Sequence, residues 1–130
     1  MTTAYISHPA CLQHETGRHH PESPQRLYAI EDRLIAAGLM ELLKRYDAPR
    51  ASRRQLCRVH SPAYLEEIER RAPHSGLVML DADTAMGPDS LEAAYRAAGA
   101  VVQAVDLVLG GQADTAFCGV RPPGHHAEPD

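Results

Sequence analysis

Residues 89–120 read DSLEAAYRAAGAVVQAVDLVLGGQADTAFCGV, and this stretch decides the fold. Apolar residues recur at helical spacing as far as Gly110-Gly111, where the two glycines predict the end of the helix. Asp89 and Glu92 have the spacing of a capping box, so Asp89 is expected to cap the helix. Residues 113–120 form a short apolar run bounded by glycines and prolines, which is typical of a buried strand.

The long helix also predicts how the strands are arranged. A helix of this length is an adequate crossover between two parallel strands, so the strand at 113–120 is expected to be central and parallel to the first strand. The weak alternation of Thr3 to Ser7 predicts that first strand. Further helices are expected from Ser23-Pro24 to Gly38, from Ser52 through Leu56, and from Ser61-Pro62 onward. The pattern therefore predicts an α/β fold.

Length, charge and cysteine content exclude several classes of protein. With 130 residues, of which 44% are hydrophobic, the chain can form one modest core and is too short for two domains. A net charge of −4 argues against a nucleic-acid partner. No apolar run approaches the roughly 20 residues that span a bilayer, so no membrane partner is expected. Cys11, Cys57 and Cys118 favour neither a disulfide framework nor a zinc ribbon, and a cytoplasmic location is expected.

The segment RPPGHHA at 121–127 directly follows the predicted strand and contains adjacent histidines. Ligands of parallel α/β proteins gather outside the carboxyl ends of the strands, so a site is expected in this loop. Side chains of neighbouring residues can serve one site only if the backbone turns, and Pro-Pro-Gly permits such a turn. One imidazole can then act as a general base while the other stays charged and stabilises an anion. The alternative is a surface loop with two solvated histidines.

Extended by one residue, this loop resembles the RPPGHHAE signature of the histone deacetylase and acetylpolyamine amidohydrolase superfamily, in its class II branch. Three more segments resemble the family in the same order, namely HPESPQRL at 20–27, VHSPAYL at 59–65, and Asp83-Thr84 leading into SLEAA at 90–94. The resemblance covers nearly the whole chain. It implies an arginase/deacetylase-like three-layer α/β/α fold with a parallel central sheet, with residues 1–130 as the N-terminal part of one such domain.

The resemblance also implies roles for individual residues. His125 and His126 would be the tandem catalytic histidines, which help a zinc-bound water attack an acetamide carbonyl and then protonate the leaving amine. Which of the two is the principal base stays open. Arg26 would line the internal channel through which acetate leaves, and the alternative is a helix-surface arginine paired with Glu22. The family's Zn²⁺ ligands and its transition-state tyrosine lie downstream, so the chain is expected to be a fragment without a metal site.

Four other sequence features were considered as functional sites, and none of them is included in the candidate site. Arg121 is either buried against the sheet or an exposed loop cation. His20 is expected to hold the loop before the first long helix. HETGRHH at 14–20 superficially resembles a zinc-protease motif, but it is rejected because its histidines are five residues apart rather than four. Ser90 and Asp83, near the family's substrate-contacting rim loop, are left outside the candidate site.

Two functional hypotheses follow. The first is the N-terminal part of a zinc-dependent amidohydrolase that removes acetyl groups from acetyl-lysine or acetylpolyamines, inactive as an isolated chain. The second is a non-catalytic remnant that acts as a binding or assembly module, and homo-oligomers are possible in either case. A metal-carrying histidine-rich module, suggested only by residues 14–20, ranks last.

Overall fold

Five strands and four α-helices are distributed along residues 1–130, all of which the computed structural model describes. The strands are β1 (Thr3–Ser7), β2 (Leu43–Asp47), β3 (Val78–Met79), β4 (Ala85–Met86) and β5 (Thr115–Gly119). The α-helices are α1 (Gln25–Ala36), α2 (Arg53–Leu56), α3 (Pro62–Arg71) and α4 (Ser90–Leu109). Short 3-10 helices, Pro9–Gln13 and Met40–Leu42, follow β1 and precede β2. The predicted α/β class is confirmed.

A parallel sheet in the order β2-β1-β5 forms the centre of the fold. Tyr5 of β1 lies beside Arg45 of β2 on one side and Phe117 of β5 on the other. The parallel pairing of the first and last strands is therefore confirmed, but the expectation that the last strand is central was wrong. Within residues 1–130, β1 is the middle strand and β5 lies at one side of the sheet, where its Thr115 and Phe117 side chains are exposed.

The sequence patterns did not predict β2, which pairs with the side of β1 opposite to β5. Its sequence is LKRYD, and the charged side chains interrupt any alternation of apolar and polar residues. Edge strands commonly carry such charges, which discourage pairing with other chains. Leu43 and Tyr46 are only half-buried, so the strand lacks the apolar pattern of a central one.

Helices cover both faces of the sheet, as the three-layer prediction requires. On one face Ala4 and Ile6 of β1 pack in a core cluster with Ala100 and Leu107 of α4. On the other face Tyr5 is buried, and its hydroxyl donates a 2.9 Å hydrogen bond to Glu31 of α1. α1, the sheet and α4 therefore form three layers.

The predicted helix starts are confirmed at two serines and need correction at the other two sites. The Ser52 and Ser61 side chains accept hydrogen bonds from Gln55 N and Tyr64 N, which caps α2 and α3. α1 begins at Gln25, and neither Ser23 nor Pro24 caps it with a side chain. The Asp89 side chain makes no capping hydrogen bond either, and the hydroxyl of the next residue, Ser90, accepts a hydrogen bond from Gly87 N in the preceding loop.

One surface of α4 stays apolar and exposed. Next to the edge strand β5 lies a shallow cleft lined only by apolar residues, namely Ala104, Val105, Val108, Leu109 and Ala116. Val105 is 51% exposed and Leu109 is 82% exposed, well above the usual exposure of large aliphatic side chains. None of the helices is both long enough and apolar enough to cross a membrane.

Candidate functional site

The adjacent histidines lie on an irregular loop at the carboxyl edge of the sheet. The segment from Arg121 to His126 has no helical or strand structure, as predicted, and is separated from the end of β5 by Val120 alone. Gly124 turns the backbone with a φ of 75°, a conformation that glycine adopts without strain. The ring centroids of His125 and His126 lie 4.2 Å apart with a tilt of 50°, and both residues are exposed. The turn therefore brings both imidazoles to one place.

Residues of the α2–α3 corner hold the chain immediately after the histidines. His60 donates from Nδ1 to the carbonyl of Glu128 at 2.7 Å, and Ser61 N donates to the carbonyl of Pro129 at 2.9 Å. The His60 ring also stacks on Tyr64 with centroids 5.1 Å apart. His60 and Ser61 belong to the VHSPAYL segment, but its sequence did not indicate that they would contact the histidine loop.

A carboxylate lies near His126. The backbone N–H of Asp83 and the hydroxyl of Thr84 donate to Asp81 at 2.8 and 3.0 Å. These hydrogen bonds, with a smaller contribution from the nearby His126, hold the pKa of the Asp81 carboxyl below its usual range. Asp81 was not among the sequence candidates. Asp83, which was considered, instead lies 3.2 Å from His20 Nε2.

Arg121 is buried, which decides between its two interpretations. Its side chain is 0% exposed, and its guanidinium donates through Nε and Nη2 to the two oxygens of Glu22, each at 2.8 Å. Nη1 donates to the carbonyls of Cys11 and His14 at 2.9 and 2.8 Å. The loop after β1 and the loop after β5 are thus joined by one side chain.

Glu22 receives a second arginine. Arg26 Nη1 donates to its Oε1 at 2.9 Å, and the Arg26 side chain is 44% exposed. Burial of the Glu22 carboxyl opposes its ionisation, but the hydrogen bonds and charge of Arg121 outweigh this, so its pKa is lowered. The surface pairing proposed for Arg26 is therefore present, and its channel role stays a prediction.

His14 continues this polar network to the start of α4. Its Nδ1 lies 2.7 Å from Ser90 Oγ, in buried surroundings. Burial, followed by the charge of Arg121, lowers the pKa of His14, which favours its neutral form. Residues 14–20 form no helix, and His19 is exposed with a φ of 64°. His14 and His19, the two histidines five residues apart, therefore do not share a helical face. His20 accepts a hydrogen bond from Glu22 N at 3.0 Å and so helps hold this loop, as expected.

The residues present do not fit a zinc site. Within residues 1–130 no three or more His, Cys, Asp or Glu side chains are grouped so that they could hold a metal ion. His125 and His126 lack the further ligands that a tetrahedral zinc site requires.

Comparison with known proteins identifies the family. Residues 20–130 match the histone deacetylase domain family. The chain is 36% identical over 145 residues to the histone deacetylase-like amidohydrolase of Pseudomonas aeruginosa, covering 98% of this chain and 38% of the relative. It is 32% identical over 134 residues to a probable deacetylase of Archaeoglobus fulgidus, covering 99% of this chain and 36% of the relative.

A eukaryotic relative and a solved structure agree. Polyamine deacetylase HDAC10 of Homo sapiens is 38% identical over 113 residues, covering 82% of this chain and 17% of that protein. The crystal structure of the HDA15 HD domain superposes with a TM-score of 0.88 at 29% identity, over 97% of this chain and 36% of that chain. The chain thus spans less than two-fifths of the length of each of these relatives. On this evidence the chain belongs to the histone deacetylase domain family.

Proposed function

We propose that this chain carries the proton-transfer residues of a deacetylase, which hydrolyses N-acetyl amides of lysine or polyamines to acetate and the free amine. The observation that carries the proposal is the pair of imidazoles 4.2 Å apart, on a turn at the carboxyl edge of a parallel sheet. Family membership supports the reaction class. One relative is named a histone deacetylase-like amidohydrolase and another a polyamine deacetylase, so the proposal includes both acetyl-lysine and acetylpolyamine substrates.

The two histidines have complementary tasks in this reaction. A neutral imidazole accepts a proton from water as the water oxygen bonds to the acetamide carbon. An imidazolium then gives a proton to the amide nitrogen as the carbon–nitrogen bond breaks, which releases acetate and the amine. A positioned general acid or base contributes about 10²–10⁴-fold to such a reaction. Exposure of both rings leaves room for a substrate to approach.

We further propose that the activity depends on Zn²⁺, as the resemblance implies. Zinc would polarise the carbonyl and lower the pKa of water. Because residues 1–130 group no set of three ligands, the zinc ligands would come from outside them. An isolated polypeptide of residues 1–130 is accordingly expected to be inactive even with zinc supplied. Arg26 is proposed to guide acetate away from the site, and its 44% exposed side chain leaves the guanidinium accessible.

A cytoplasmic location is proposed because Cys11, Cys57 and Cys118 all carry free thiols. Free thiols are typical of a reducing compartment.

The proposal is tested on the polypeptide encoded by the whole reading frame. Acetate and free amine are quantified with an acetyl-lysine peptide and with an acetylpolyamine, before and after removal of zinc by a chelator. The expected result is equal amounts of both products from at least one substrate, lost with the chelator and restored by zinc. His125→Ala and His126→Ala are each expected to keep bound zinc while turnover falls by about 10²-fold or more. Absence of hydrolysis of both substrates by the zinc-loaded protein would contradict the proposal.

The alternative of a binding or assembly module has one observation in its favour. The cleft of Ala104, Val105, Val108, Leu109 and Ala116 exposes apolar surface that another protein surface would cover. This module would bind or self-associate without hydrolysing either substrate, so the same assay separates the two functions.

A further inference from the structure

Arg121 is a buried charged group that the proposed chemistry does not use. It follows β5 by two residues and precedes His125 by four. All four of its side-chain hydrogen bonds go to one stretch of chain, residues 11–22, which lies between β1 and α1. The start of the histidine loop is thus fixed by contacts with a segment that is about a hundred residues distant in sequence.

The geometry of these contacts is directional. Both oxygens of Glu22 are engaged, and Nη1 is shared between two backbone carbonyls, so the guanidinium plane cannot rotate without breaking a bond. Arginine's planar fork matches a carboxylate in this way, whereas a lysine ammonium is a point charge that makes no such pair. The same carboxylate also holds Arg26, the proposed channel residue. The Glu22 carboxylate is therefore bonded both to Arg121, at the start of the histidine loop, and to Arg26 in α1.

We propose that Arg121 is a positioning residue for His125 and His126, acting through its two-pronged pair with Glu22. This inference rests on the proposed deacetylase function. Proton transfer requires the imidazoles to lie within hydrogen-bond reach of the reacting atoms, and a misplacement of about 1 Å can cost about 10²-fold in rate. Loss of the paired hydrogen bonds between Arg121 and Glu22 would let the loop turn away from the substrate, although the two imidazole groups themselves would be unchanged.

The test uses Arg121→Lys, which keeps the charge and removes the fork, and Glu22→Gln, which keeps the shape and removes the charge. Arg96→Lys is the matched control, because Arg96 also bonds a carboxylate and a carbonyl, those of Glu92 and Ala48, away from the histidine loop. Turnover and the amide order parameters of residues 124–127 are measured on the polypeptide of the whole reading frame. Arg121→Lys is expected to lower kcat by about 10²-fold with KM within about twofold, and to lower the order parameters.

The control is expected to retain both the kcat and the order parameters of the parent. A folded Arg121→Lys or Glu22→Gln protein with the parent's kcat and order parameters would overturn the inference, as would a lower thermal midpoint with the kcat of the folded protein unchanged. If Arg121→Lys does not fold, Glu22→Gln alone decides. A parent without hydrolytic activity would refute the proposed function, and the order parameters would still show whether Arg121 holds the loop.

Discussion

Replacing Gly99 by alanine should destabilise the protein strongly, because α4 passes very close to the backbone after β2. A Cβ at this position would lie 1.8 Å from the carbonyl oxygen of Pro49 and 2.9 Å from Ala51 N. The difference between 1.8 Å and the 3.4 Å of an ordinary contact requires a shift of about 1.6 Å. That shift would strain two hydrogen bonds, from Ala51 N to Tyr95 O at 2.9 Å and from Arg96 to Ala48 O at 3.0 Å.

The expected loss follows from three contributions. Overpacking lowers the free energy of unfolding by about 1–3 kcal/mol, and each of the two weakened hydrogen bonds lowers it by about 1 kcal/mol. The better helix propensity of alanine raises it by about 1 kcal/mol. The net loss of stability is therefore about 2–4 kcal/mol. Urea unfolding followed by circular dichroism measures it. Gly87→Ala is the control, since its nearest contacts would be an ordinary 3.4 Å, and it should change the free energy of unfolding by no more than about 1 kcal/mol. A Gly99→Ala protein as stable as the parent would refute the close approach.

Three further predictions concern the channel arginine, pH and association. Arg26→Ala should slow turnover but lower the free energy of unfolding by less than about 1 kcal/mol, because its pair with Glu22 is partly exposed; unfolding without a kinetic defect would make it a structural residue. The folded-state pKa of His14 lies below its ordinary 6.5, and that of Glu22 lies below its ordinary 4.5. Below each of these pH values the unfolded chain therefore takes up a proton more readily than the folded protein does, which lowers the free energy of unfolding. Stability measured by urea unfolding should therefore fall as the pH drops below about 6.5 and again below about 4.5, and His14→Gln should flatten the first decline. The isolated chain should self-associate in sedimentation velocity experiments, because its apolar cleft is exposed. Val105→Glu, which places a charge in the cleft, should reduce this association, whereas Gln112→Glu, outside the cleft, should not. Equal association of both variants would exclude the cleft as the cause.

Local signals in the sequence predicted most helices and the position of the histidine loop. Ser52 and Ser61 mark true helix starts because a serine cap acts within three residues of itself. The histidine loop was predicted because it follows an apolar run and contains Pro-Pro-Gly, both readable from neighbouring residues. Asp89 does not cap α4 with its side chain, because its backbone has helical angles of φ −99° and ψ 0° instead of the extended conformation that Ser52 and Ser61 adopt.

Long-range contacts account for what the sequence did not predict. β2 has too many charges to show an apolar pattern, and only its pairing with β1 makes it a strand. The network of His14, Glu22, Ser90 and Arg121 joins residues from three separate parts of the chain, so no local pattern shows it. Burial of a charged arginine is also unusual enough that exposure would be the default expectation.

The most direct test of the catalytic role of the histidine loop is the initial rate of acetate release by a His125→Ala, His126→Ala double variant. The parent, the double variant and a control with His19→Asn and His74→Ala, two exposed histidines elsewhere, are compared as zinc-loaded products of the whole reading frame. The predicted result is a fall of about 10²-fold or more in the double variant, with equal zinc content and a control at the parent's rate. A double variant that releases acetate at the parent's rate would contradict the assignment of proton transfer to these two residues.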